Sequence, residues 1–302
     1  MTAPAVANQQ LPIIDRPLDN TALALFMTCP RKFDFAMRQH RRRTGPPTPA
    51  IAYGTVWHAI LESHYKTGGD TNAAFIAGAQ AWQDHGKPDD HRTFDRAWLE
   101  YENYIKRWGK YEDEDARTVG FPESPAVEMS VNVTWPGALH PYAGKLDRII
   151  ELNGQYFVED HKTTSRMGSY YFQQFELSNQ MQGYVWIARL LIPSVKITGI
   201  RINAHGIYKK ESKFERQLIT FSEDRLEEWA ANYNLWVARM QVAYESAIFP
   251  ANYDACSGKY GMCQYAEVCS MPPRLRERVL ETDFDYAPWN PLETAEEIPE
   301  EG

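Results

Sequence analysis

The sequence predicts an α/β protein: a mixed central sheet flanked by helices, with a helical N-terminal part and a C-terminal segment tied back through cysteines. Three observations predict it. Tyr142 to Lys162 read as two strands around Asn153-Gly154, a dipeptide that favours tight hairpins. The chain before them shows helical rather than alternating periodicity. After them, strand patterns and helical patterns take turns, the arrangement that builds a partly parallel sheet.

The elements follow in order. Asp19 or Asn20 can cap a helix running from about Thr21 to His40, which TGPPTP then breaks. A second helix covers about Ile51 to Tyr65 and stops at Gly68-Gly69-Asp70, and a third covers about Asn72 to His85. The next carries Phe94, Trp98, Tyr101, Ile105 and Trp108 at alternating spacings of four and three, a stripe read as a core face. Strands are expected near 126–135, 142–152 and 155–162, a helix from about Ser178 to Leu191, and strands at about 197–208 and 214–221. A long helix from about Glu223 to Ser246 places Leu226, Trp229, Tyr233, Trp236, Met240 and Ala243 on one side.

These elements divide into a flexible lead-in (1–18), a single domain (19–280) and an acidic tail (281–302). Within the domain, a helical part spans about 19–118, a sheet core about 126–222, and the last helix with the cysteine segment about 223–280. The 302 residues carry a net charge of −8. Residues 281–302 hold eight acids and no Lys or Arg, so the body without them is neutral and the acidic stretch reads as disordered. No apolar run is long enough for a membrane span, and the first residues lack the basic and apolar regions of a secretory signal. The expectation is a cytosolic chain with reduced thiols and no membrane partner.

Chemistry concentrates on the hairpin. Asp160 and Lys162 alternate onto one face of the second strand, and the hairpin returns Asp147 to the same end of the sheet. Two carboxylates and a lysine at a sheet edge can hold a divalent metal and activate water beside it, the chemistry of phosphodiester cleavage. Glu159 and the His161 side chain alternate to the opposite face. Glu128, on the preceding strand, is a further candidate acid. The densest basic stretch, Arg31, Lys32, Arg38, Arg41, Arg42 and Arg43, is a candidate for phosphate contacts.

Cys29 lies in FMTCPRKF, and Cys256, Cys263 and Cys269 cluster as C-x6-C-x5-C. Four thiolates can complete a [4Fe–4S] cluster or a structural zinc site; the C-x2-C pairs that zinc favours are missing, which tilts the reading toward iron–sulfur. Either would staple the N-terminal helix to the C-terminal segment.

Five motifs in order resemble the PD-(D/E)xK nuclease superfamily, in its RecB-like branch with a four-cysteine iron–sulfur cluster: TALALFMTCPRKFDF, YGTVWHAILE, GKLDRI, VEDHKTTS and QMQGYVW. The relatives include CRISPR-adaptation exonucleases, the AddB nuclease domain and phage recombination nucleases. The resemblance implies a restriction-endonuclease-like core. It also implies Asp147, Asp160 and Lys162 as catalytic residues, with His58, Asp147, Asp160 and the His161 backbone carbonyl around Mg²⁺ or Mn²⁺. Gln180 and Tyr184, four apart on one helix face, would position DNA. The expected activity is a metal-dependent DNA exonuclease acting on single strands or ends in recombination, replication or repair, alongside partner proteins of those processes. The rival is a non-cutting DNA-binding or adaptor protein that keeps the fold. Two departures stand out: the C-x6-C gap is wider than in many relatives, and Asp160 stands where some carry Glu.

Overall fold

A computed structural model describes residue 14 and residues 17–109, 116–120, 124–258 and 261–292. Helix α1 (Asn20–Thr28) starts at Asp19, whose side chain accepts from the Ala22 amide. The single helix expected to reach His40 is corrected here. Cys29 is extended, and a new turn, α2 (Pro30–Phe33), begins at the proline and runs into a wide turn over Asp34–Arg38. Proline disfavours the helical region for the residue before it, which breaks the helix at Cys29. A short strand β1 (Arg41–Arg42) follows. The helical part then comprises α3 (Pro49–Lys66), capped by Thr48, α4 (Thr71–His85), capped by Asp70, and α5 (Phe94–Trp108), capped by Thr93.

The sheet has six strands: β2 (Ala116–Thr118), β3 (Val127–Val133), β4 (Tyr142–Leu152), β5 (Gln155–Thr164), β6 (Ile197–Ile207) and β7 (Ser212–Thr220). Helices α6 (Gln173–Glu176) and α7 (Asn179–Leu191) cross from β5 to β6, and α8 (Glu223–Ser246) follows β7. The order is β2-β4-β5-β6-β7, with β3 also on β4. Only the β5–β6 pairing is parallel, as the intervening helix requires; the rest of the ladder is antiparallel. β2 was not foreseen: three residues carry too little pattern.

The sheet separates two cores. On one face, Leu146, Ile149, Val158, Ile200 and Ile202 meet α1, α7 and the expected stripe of α8. On the other, Trp57, Ile60 and Tyr65 of α3 meet Tyr101 and Tyr104 of α5. Two glycines let helices approach the strands that carry chemistry. A Cβ on Gly54 would lie 3.2 Å from Thr163 Oγ1, and one on Gly144 would lie 2.9 Å from Ile187 Cδ1 and 3.2 Å from Tyr184 Cε1.

The C-terminal region holds a single turn at Tyr253–Cys256, the pair β8 (Ser257–Gly258) and β9 (Gly261–Met262), α9 (Ala266–Ser270), α10 (Pro273–Asp283) and β10 (Asp285–Tyr286). The acidic tail expected from residue 281 is therefore structured as far as Leu292. β10 pairs with β1, Phe284 and Trp289 are buried, and the Trp289 indole donates to Asp19. Two large aromatic side chains outweigh the acidic composition there. Residues 293–302 lie outside the described residues. So does most of the lead-in, but Ile14 and Leu18 are buried, and Leu18 bridges to Tyr142.

Candidate metal centre

The centre forms where β4 and β5 part. Their pairing runs from Leu152–Gln155 to Arg148–Glu159 and goes no further. The next outward-facing amide of β5, that of His161, instead donates to Asp147 Oδ2 at 2.7 Å. A strand residue presents its N–H and C=O to the same edge, so the His161 carbonyl faces the same opening. Asp160 and Lys162 share a face as the alternation requires, with Nζ 3.0 Å from Oδ2.

On the other side of β4, the β3 register runs Val127–Arg148 and Met129–Leu146, which sets Glu128 opposite Asp147. Glu128 has φ of 50°, in the left-handed region. That geometry breaks the two-residue alternation: Val127 packs against α3 and α5, whereas Met129 packs into the main core. The same exchange of faces occurs between Leu146 and Arg148, whose guanidinium lies 3.6 Å from the Tyr65 ring centre. Two opposed carboxylates result, and α3 brings His58 between them, with Nδ1 3.7 Å from Glu128 Oε1 and 3.7 Å from Asp147 Oδ2.

The donor atoms of His58, Glu128 and Asp147 all lie within 4.8 Å of one another. One imidazole and carboxylate oxygens make a donor set suited to Mg²⁺ or Mn²⁺, which prefer oxygen. The electrostatics agree. Burial, with Asp160 and Glu128 nearby, pushes the Asp147 carboxyl well above the carboxylate range despite the opposing His58. Burial also works against the Glu128 carboxylate, but His58 and Lys145 outweigh it and hold that group at about 2. A cluster of buried carboxylates that repel one another is stabilised by a cation.

Around this centre the expected residues divide. Gln180 donates to Tyr184 Oη at 3.1 Å, and burial, then the charge of Asp160, pushes the Tyr184 phenol far up, so this helix face looks onto the centre. Glu159 faces away and is fully buried between Arg148 and Arg201, at 3.1 and 2.9 Å. The His161 ring also turns away. It stacks on Tyr65 with planes 9° apart, and Asn203 Nδ2 lies 2.9 Å from its Nδ1.

The basic stretch points elsewhere. Arg38 pairs with Asp34, Arg42 donates to the Ala287 carbonyl, and Arg43 reaches Glu267 at 3.4 Å. Arg41 lies over Tyr286, and Arg31 sits beside Tyr253 and Cys269. All five arginines thus hold the C-terminal segment or their own helix end. Lys32 is half-buried in α2.

The cysteines gather at one end of the molecule without reaching the spacing of a single-ion site. The Asn252 amide donates to Cys29 Sγ at 3.3 Å, and burial, then Cys269 and Cys29, push the Cys256 thiol up. No disulfide joins them, and among the described residues the set with ligand spacing is the His58 group.

Two residues of the centre escaped the sequence reading. Lys145 pairs with Glu128 at 2.6 Å, and Tyr171 lies beside Lys162 and Asp160. Lys145 stands two residues before Asp147, a hint visible once Glu128 is placed opposite. Tyr171 comes from a loop with no periodic signal.

The family model of the PD-(D/E)XK nuclease superfamily matches residues 20–270. No curated protein matches. Among solved structures, the "Putative exonuclease" from Eubacterium rectale is 11% identical, with a TM-score of 0.49, 90% of this chain covered and 100% of that one. The SSO0001 protein is 16% identical with a TM-score of 0.26, covering 61% of this chain and 74% of that one. Assignment rests on the family match, which runs through α1, His58, Asp147, Asp160, Lys162 and Cys269: the chain belongs to the PD-(D/E)XK nuclease superfamily.

Proposed function

We propose that this protein is a metal-dependent deoxyribonuclease, an exonuclease acting on single strands or ends during recombination, replication or repair. The observation that carries the reading is the convergence of His58, Glu128 and Asp147 within 4.8 Å, beside Asp160 and Lys162. A bound Mg²⁺ or Mn²⁺ would supply Lewis acidity toward the phosphoryl oxygens and toward water. His58, Asp147, Asp160 and the His161 carbonyl would hold it, with Glu128 as a further ligand.

The chain's own groups do the rest. Lys162, kept in place by Asp160, offers a cation to the charge that develops on the phosphate oxygens, an effect worth most in a site preorganised before reaction. In its neutral form it would instead take a proton from the attacking water, the alternative role for this residue. The His161 amide fixes the Asp147 carboxylate, and the ring's stacking on Tyr65 fixes the amide. Tyr184 and Gln180 present a hydroxyl and an amide to the strand being cut. The four-cysteine [4Fe–4S] staple belongs to this proposal on narrower support, the approach of Cys256 to Cys29 and Cys269; anaerobic protein without iron, sulfide or zinc would remove it.

The test is digestion of 5′- and 3′-labelled single- and double-stranded DNA with Mn²⁺ or Mg²⁺, wild type beside Asp160→Ala and Lys162→Ala. Metal-dependent cutting is expected and should fall by about 10²–10³-fold or more in each variant. A folded, metal-replete wild type that binds DNA without cutting it would point instead to an adaptor.

A further inference from the structure

A second polar site lies outside the metal centre. A groove of about 480 Å³ opens between the end of α5, the loop after β5 and the start of β7. Its walls carry Arg107 and Trp108 from α5, Lys213 and Arg216 from β7, and Met167 and Phe172 from the loop. Three cations face one carboxylate, Glu215.

The cations are organised. The Arg107 and Arg216 guanidiniums lie 4.7 and 4.1 Å from the Trp108 ring centre. Arg216 turns inward, its Nη2 donating to Tyr104 Oη at 2.8 Å, and backs the Trp108 ring; that ring orders the exposed Arg107, whose guanidinium geometry matches phosphate. Lys213 pairs with Glu215 on the surface, where such a pair is weak and open to exchange for a ligand.

The groove also communicates with the metal centre. The loop that forms one wall carries Tyr171 to Lys162 and Asp160 on its other side. Arg216 Nε donates to Asn203 Oδ1 at 3.2 Å, and Asn203 touches the His161 ring, whose residue holds Asp147. Tyr170, 76% exposed, stands on the same loop next to the wall.

We propose that this groove seats the phosphates of a single nucleic-acid strand on its way to the metal centre. Arg107 and Lys213 take the backbone, and Tyr170 offers its ring to a base, the combination by which single strands are held without sequence preference. Pockets of about 300–1,000 Å³ take ligands of drug size, which here means one or two nucleotides of one strand. The proposal deepens the nuclease reading and rests on it for the strand's destination, but binding can be measured apart from cutting.

The experiment is fluorescence anisotropy of a labelled oligothymidylate with the full-length protein in EDTA, so that no cleavage occurs. Arg107→Glu/Lys213→Glu changes two exposed groove cations; Arg274→Glu/Arg278→Glu makes the same charge change on α10. The groove variant is expected to bind at least tenfold more weakly and with a shallower salt dependence, while the α10 variant binds within about twofold of wild type. Tyr170→Ala should weaken binding without changing the salt slope. Equal losses in both charge variants, a duplex bound as tightly as the single strand, or inorganic phosphate or thymidine monophosphate competing as well as the oligomer would each overturn the proposal. Cutting by wild type together with unchanged binding in the groove variant removes the groove alone. Absent cutting with groove-dependent binding removes the nuclease reading alone.

Discussion

Glu128 occupies the left-handed region at the second residue of β3, which costs a non-glycine residue free energy of order 1–3 kcal/mol. The surroundings hold it there: Lys145 and His58 both approach its carboxylate. The residue thereby reaches Asp147 across the ladder, where like charges directly opposed are unfavourable without a counter-ion. Glu128→Gln keeps the shape and removes the charge. It should weaken Mn²⁺ binding by about 10–100-fold in calorimetric titration, and an unchanged affinity would remove Glu128 from the ligand set. Histidine chemistry at the residue scale gives a pH prediction. Burial drives His205 and His161 down to about 3. His205 packs 4.3 Å from Trp57 and 4.7 Å from Phe214, ring centre to ring centre. The folded state therefore binds fewer protons than the unfolded chain. Stability is fully present above the unfolded histidine value near 6.5 and is lost as pH falls toward 3, by up to about 1.4 kcal/mol per unit for each histidine. His205→Leu should lower that slope by up to about 1.4 kcal/mol per pH unit in urea unfolding between pH 6 and pH 4.5; an unchanged slope would show that His205 charges without cost.

At the scale of elements, α3 and α7 grip the sheet from opposite faces, and each does so at a glycine. These contacts set His58 on one side of Asp147 and Tyr184 on the other. The third organising element is the segment after α10. β10 pairs with β1, Thr44 donates its amide to Asp285 at 3.0 Å, and Trp289 closes over the cap of α1, where Arg42 also covers its ring. This strap ties the two ends of the domain together independently of the cysteines. Trp289→Ala should destabilise the fold by about 3–5 kcal/mol, the range for large buried aromatics. Measured by denaturant unfolding, the loss should come without a change in the metal affinity of the surviving folded protein. A shift in metal affinity would mean the strap reaches the centre.

For the whole molecule, the sheet is a partition. One face supports the main core; the other carries a polar network of Arg148, Glu159, Arg201, Asn203 and Tyr104 that anchors His161 from behind, and the metal centre lies where β4 and β5 part, reached by His58 from one side and Tyr184 from the other. Among the described residues, no helix is long and apolar enough to cross a membrane. The repulsion stored in the carboxylate cluster should make the fold responsive to metal as a unit. Mn²⁺ at a hundred times its dissociation constant should raise the unfolding free energy by about 2.7 kcal/mol, seen as a higher melting temperature. Asp147→Ala should abolish that shift and, by removing a buried carboxyl, leave the metal-free protein no less stable. A metal-induced shift that survives the substitution would place the stabilising ion elsewhere.

The hairpin, the helix faces and the Asp147, Asp160 and Lys162 set were all determined by the sequence itself. Turn chemistry at Asn153-Gly154 and the two- and 3.6-residue periods act over a few residues and leave a local imprint. The opposite facing of Glu159 and the His161 ring was legible for the same reason. What only the tertiary structure decided are the features that depend on distant segments meeting. Glu128 becomes an opponent of Asp147 because a left-handed residue breaks its strand's alternation, which no periodicity reports. Arg41, Arg42 and Arg43 go to the C-terminal strap, because Phe284 and Trp289 gain more from burial than an acidic composition suggests. The cysteines approach one another without reaching the spacing of a single-ion site, since spacing along the chain does not fix the distance between thiols carried by separate turns. Proline at position 30 could have revealed the break in the first helix; its effect on the residue before it is local.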